Sequence, residues 1–175
     1  MARHSVVQSL ISLADTAGAR RESVVFELTE TLNDSAAEGS LFENLAELRM
    51  AGFGLAIDDF GIGYSSMARL RDIPFTELKI DRSFLEGLSN HPHQRAIVES
   101  MIGLAHRLDM HTVAEGVETE AHSRVIRELG CDREQGYLYG APMPEWQLVS
   151  FCRARGMLPP AEHALPPPPR YAAKL

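Results

Sequence analysis

The chain has 175 residues, 45% of them hydrophobic, and a formal net charge of −7. That is enough for one domain with its own core, and the charge has the wrong sign for a protein that neutralises a nucleic-acid backbone. No run approaches the roughly 18 apolar residues of a membrane-spanning helix. Two cysteines, Cys131 and Cys152, offer neither a disulfide framework nor metal spacing and are expected as reduced core residues of a cytoplasmic protein.

In chain order, the basic start "MARHSVVQSLISLADTAGAR" places Val6, Val7, Leu10, Ile11 and Leu13 on a helical stripe, which fits a helix over 5–17 better than a signal peptide. A strand near 23–28 follows, then a helix over 40–51 and a strand over 53–58 that runs into "DDFGIGYSS". A short helix is predicted after Tyr64, then a strand at 76–80, a helix at 92–109, a strand at 111–115, a helix at 119–129, a strand at 134–138 and a helix at 144–155. Helices that end in glycine and lead into short β-rich runs predict βαβ crossovers and a parallel sheet, open or closed as a barrel. The stripe Trp146, Val149, Phe151 and Cys152 reads as helix core, and Arg71 and Asp72 as solvated surface. His91 and His93, flanking Pro92, are expected to be solvated, and the seven histidines form no HxxxH group. From Pro159 onward "PPAEHALPPPPRYAAKL" is a Pro-rich tail, expected as a disordered end or linker.

Each predicted strand carries polar residues near its C-terminal end: Glu27 and Glu30, Asp58 and Asp59, Lys79 and Asp81, Glu115 and Glu118, and Gln135. Strand side chains alternate, so Val25 and Glu27 share a face, as do Ala56 and Asp58, and Val113 and Glu115. In a parallel α/β barrel such ends converge on one face, where the loops build the site. A single acid of this kind would be a structural ion pair, and Asp58-Asp59 alone could be a turn in which one Asp caps the next helix. Five strand ends in succession are harder to explain as packing. Converging carboxylates call for a divalent cation, for which hard oxygen ligands suit Mg²⁺ or Mn²⁺. One lysine among them suits orienting a nucleophile or contacting phosphate, and the whole set points to two-metal phosphoester hydrolysis. A dinucleotide turn is disfavoured because Ser66 stands where GxGxxG needs its third glycine, and no G-x-S-x-G elbow is present.

The ordered blocks "FELTE", "DDFGIGYSS", "LKIDRSF", "VAEGVET" and "QGYLYGAPMP" resemble the signature blocks of EAL domains, bacterial phosphodiesterases that linearise cyclic di-GMP. The resemblance covers roughly residues 24–155. It implies a TIM-type (β/α) barrel, incomplete at its N-terminus, in a partial domain over 1–156 with the Pro-rich tail over 157–175. It implies metal-binding roles for Glu27, Asp58, Asp59 and Glu115, with Asp58 bridging two Mg²⁺ or Mn²⁺ ions. Lys79 would orient the attacking water, Glu118 and Gln135 would support the metal–water site, and Glu30 would hold the loop from Asp59 to Ser66. The family's Glu-Ala-Leu strand and the following metal-binding Asn do not occur in this chain, and Ile62 stands where the family usually has Thr. Loss of two ligands implies a weakened first metal and very weak or absent turnover by this chain alone. Expected partners are cyclic di-GMP, a second copy of the chain or a fused sensory domain. The alternative is a catalytically silent module that binds cyclic di-GMP or another protein.

Overall fold

The computed structural model describes residues 6–29, 38–62 and 67–158. The chain divides into two units, Met1–Gly140 and Ala141–Leu175. In the first, five parallel strands form one sheet in chain order: β1 (Val25–Thr29), β2 (Gly54–Asp58), β3 (Glu77–Ile80), β4 (His111–Ala114) and β5 (Arg133–Glu134). Every connection is a crossover. Among the described residues the sheet is not closed, and β1 and β5 are its edges.

Helices α1 (Val6–Thr16), α2 (Glu38–Met50), α3 (Met67–Asp72), α4 (Pro92–Arg107) and α5 (Glu120–Glu128) complete this unit. Their starts follow local chemistry. Pro92 opens α4, where its missing N–H is not needed, and the Thr119 side chain caps α5 by accepting from the His122 N–H at 3.1 Å.

The two faces of the sheet differ in kind. One is apolar: Leu55, Ile57, Leu78, Ile80 and Ala114 are buried, against Leu45 and Leu48 of α2, Val98, Ile102 and Ala105 of α4, and Val125 and Ile126 of α5. Phe26 of β1 adds an edge-on contact to Phe53, with ring centroids 5.3 Å apart. On the other face the register aligns Glu27 with Ala56, Ala56 with Glu77, and Lys79 with Val113. Two residues further along each strand, the same alternation turns Asp58 and Glu115 to that side. The core therefore lies under one face, and the other carries the charged side chains.

The predicted strands fall within two residues of β1 to β4. The strand expected at 134–138 does not form. β5 stops at Glu134, because Gly136 brings its backbone against Val117, where an added Cβ would lie 2.2 Å from the Val117 carbonyl oxygen. The chain leaves the sheet there and turns, with Leu138 N–H donating to the Val117 carbonyl at 3.0 Å.

The second unit contains α6 (Glu145–Ala154). No residue of α6 is buried and Trp146 is 68% exposed, so the expected core stripe of Trp146, Val149, Phe151 and Cys152 is not formed. The Arg155 guanidinium stacks 3.6 Å from the Phe151 ring centroid instead. Cys131 and Cys152 are both free thiols and both partly buried; Cys131 packs against the core. The Pro-rich segment from Pro159 lies outside the described residues.

Candidate active site

Lys79 is where the strand ends meet. Its side chain is 7% exposed, and its ammonium lies 2.7 Å from Glu115 Oε1, 2.8 Å from Glu27 Oε2 and 3.3 Å from Asp58 Oδ1. Each partner comes from a different strand or its exit: Glu27 from the middle of β1, Asp58 from the last position of β2, and Glu115 from the residue after β4, whose N–H donates to the Ile80 carbonyl at 2.9 Å. Burial by itself would lower the lysine pKa. The hydrogen bonds it donates to Glu115 and Glu27, with the charges of Glu115 and Asp58, outweigh it and hold the pKa raised, so Lys79 remains an ammonium at neutral pH.

Asp59 completes the acidic end of β2. Its φ of 54° is in the left-handed region, which Asp tolerates better than most residues but seldom adopts without a local reason. Its N–H donates to Asp58 Oδ1 at 3.1 Å, and its carbonyl accepts from the Ile62 N–H at 3.1 Å. The turn expected of an Asp-Asp pair is thus present, and the same Asp58 carboxylate also reaches Lys79.

Among the described residues, no three His, Cys, Asp or Glu side chains stand together as a ready ligand set, because the carboxylates of Glu27, Asp58 and Glu115 meet at the ammonium. The donor set nevertheless fits a divalent cation. The oxygens are hard, and the three carboxylates of Glu27, Asp58 and Glu115 meet a single ammonium, with Asp59 next to Asp58 in the chain.

The other predicted residues sit apart from this cluster. Glu118 Oε1 pairs with Arg82 Nη1 at 2.7 Å. Gln135 is exposed immediately after β5. Its backbone is held from both sides, its N–H donating to the Ala114 carbonyl at 2.8 Å and its carbonyl accepting from Val117 N–H at 3.0 Å. Asp81 caps a 3-10 turn, Arg82–Phe84, by accepting from Ser83 N–H at 2.8 Å. Its carboxyl is held below the usual range: burial would raise the pKa, but the Ser83 and Arg82 hydrogen bonds prevail. Glu30, and residues 63–66 of the Asp59–Ser66 loop that it was expected to hold, lie outside the described residues.

Sequence reasoning missed two groups. One is Arg82, whose partner is set by how two loops meet. The other is Glu134, whose buried carboxylate accepts from Arg127 Nε at 2.9 Å and from the Tyr139 hydroxyl. Arg127 Nη2 also donates to that hydroxyl, at 3.1 Å. This second group clamps the turn after Gln135 to α5. Its sequence signal was a charged residue in a short strand next to a site residue.

Comparison with known proteins agrees with this geometry. Residues 1–142 match the EAL domain family. The cyclic di-GMP phosphodiesterase RocR of Pseudomonas aeruginosa is 46% identical over 130 residues, covering 74% of this chain and 33% of that protein. The MucR phosphodiesterase of the same organism, solved in complex with cyclic di-GMP, shares 39% identity with a TM-score of 0.73, covering 84% of this chain and 59% of that one. BlrP1 of Klebsiella pneumoniae, solved as a manganese and cyclic-di-GMP complex, shares 33% identity with a TM-score of 0.70, over 78% of this chain and 34% of that one. The chain spans a third of RocR's length. EAL domains have a TIM-type barrel, and the parallel strands and covering helices described here form an unclosed part of one. With the match extending over most of its length, the chain belongs to the EAL domain family.

Proposed function

We propose that this chain is a metal-dependent phosphodiesterase module that opens cyclic di-GMP to the linear dinucleotide. The supporting observation is the meeting of Glu27 of β1, Asp58 at the end of β2 and Glu115 just after β4 at Lys79 of β3. Glu27, Asp58, Asp59 and Glu115 would hold Mg²⁺ or Mn²⁺. Bound there, the cation would lower the pKa of a water and offset the phosphate charge. Lys79, kept protonated, is a donor that orients the attacking water and cannot act as the base, so the water's proton goes to a carboxylate of the cluster. Gln135, held on both sides by β4 and the loop after it, supports the same region, as Glu118 does from the neighbouring loop; the role of Glu30 is carried over from the family resemblance alone.

No described helix is long and apolar enough to cross a membrane. With two free thiols, we place the protein in the cytoplasm, with a second copy of the chain or a fused sensory domain as its partner. The 175 residues contain no Glu-Ala-Leu run, so Glu27 and Asp58 are the ligands that this chain supplies to the first ion, and turnover by the chain alone is expected to be weak. Chromatography of the linear product, with Mn²⁺ and with chelator, tests this function. Slow, Mn²⁺-dependent conversion that disappears in Glu115→Ala is expected. Conversion that survives either chelation or that substitution would refute the assignment.

A further inference from the structure

Outside the Lys79 cluster, the contact best placed to act on it is the one between the loops that leave β3 and β4. The β3 exit starts two residues after Lys79, with Asp81 capping the 3-10 turn through Ser83 N–H at 2.8 Å. The Gln94 side chain of α4 ties that turn down, donating to the carbonyls of Ser83 at 3.0 Å and Phe84 at 2.9 Å. From this fixed turn Arg82 crosses to the β4 exit. Its aliphatic stem lies on Gly116, where an added Cβ would be 2.6 Å from Arg82 Cβ, and its guanidinium pairs with Glu118 at 2.7 Å. Gly116 directly follows Glu115 and has a φ of +66°, a conformation suited to glycine. An alternative partner, Glu86, is further away at 3.7 Å.

We infer that Arg82 is a positioning residue for the candidate metal site: it braces the β4 exit through Gly116 and Glu118 and so fixes Glu115 against Lys79. Glu118 then acts on the site through Arg82 rather than by touching it. Both loop ends are held independently, the first by Asp81 and Gln94 and the second by the Glu115 N–H bond to Ile80. A link between two fixed ends transmits position, which an exposed ion pair on mobile ends would not. The inference rests on the proposed role of Glu115 as a metal ligand.

Two measurements on the 175-residue chain separate the inference from that role. Amide hydrogen exchange of Arg82→Ala tests the brace without any metal. Exchange at Glu115 and Val117 should rise about tenfold, with the β1–β2 amides unchanged as the folding control. Mn²⁺ titration, read by the electron-paramagnetic signal of the free ion, tests the consequence. Arg82→Ala and Glu118→Ala should each weaken Mn²⁺ binding by about tenfold, within the usual span for groups that orient ligands. The double variant should be no worse than either, and Arg82→Lys should recover part of the loss. Unchanged exchange at Glu115 and Val117, additive losses, or a lowered melting temperature with unaltered Mn²⁺ affinity would each overturn the inference. Absence of Mn²⁺ binding by the unsubstituted chain, with exchange responding as expected, would overturn the metal role while leaving the brace in place.

Discussion

Lys79 shows how one side chain organises the site. Its ammonium keeps Asp58 and Glu115, both mostly buried, from facing each other uncompensated, while the half-exposed Glu27 is partly hydrated. Lys79→Met should therefore destabilise the chain by about 2–3 kcal/mol in urea unfolding, because removing one partner leaves buried charge unpaired. Saturating Mn²⁺ should restore part of that stability, since the vacated position faces the same carboxylates. Unchanged stability would mean that the carboxylates are adequately solvated without the lysine. Asp132, after α5, provides a second test. It accepts from Thr112 N–H at 2.7 Å and Thr112 Oγ1 at 2.8 Å and contacts His106 Nε2 at 2.9 Å. Burial would raise its pKa, yet the Thr112 and His106 contacts hold it down to about 2. Between that value and the ordinary carboxyl range near 3.8 the unfolded chain binds more protons, so this contribution is complete above about pH 4 and fades as pH falls toward 2. Asp132→Ala should cost about 2 kcal/mol at pH 7 by stranding buried Thr112 donors, and should flatten the acid limb of a stability–pH profile. An unchanged acid limb would count against this assignment.

At the scale of elements, the turn after β5 depends on the close crossing of Gly136 and Val117. Gly136→Ala puts a Cβ within 2.2 Å of a backbone oxygen that cannot rotate away, so the turn carrying Gln135 must shift. A loss of about 2–4 kcal/mol in chemical denaturation is expected, with raised amide exchange at Val117 and Leu138. Near-neutral behaviour would show that the crossing is not as tight as described. This crossing is also why β5 was misjudged. Alternation in "EQGYLYG" looks like a strand, and nothing local announces that the glycine will meet a backbone from the previous loop. β1 to β4 were legible because each is a short apolar run closed by a polar residue, a pattern set by the strands themselves. The same pattern identified Glu27, Asp58, Lys79 and Glu115. Arg82 and Glu134 were not legible, since their partners are chosen by how a turn, a glycine and a helix meet in space. The stripe on α6 had the right period for a buried helix, but period alone does not say whether a partner surface exists.

For the whole molecule, the division between an apolar face under the helices and a charged face above the strand ends links the fold to the proposed chemistry. The chain carries a net charge of −7, so an anionic dinucleotide gains nothing from long-range attraction and must be met by a local cation. Calorimetric titration of cyclic di-GMP into the chain, with Mn²⁺ and with chelator, tests this most directly. Binding is expected with Mn²⁺, strongly reduced by chelator and lost in Asp58→Ala. Equally tight binding in chelator, unaffected by Asp58→Ala, would contradict the account and make the chain a metal-independent receptor.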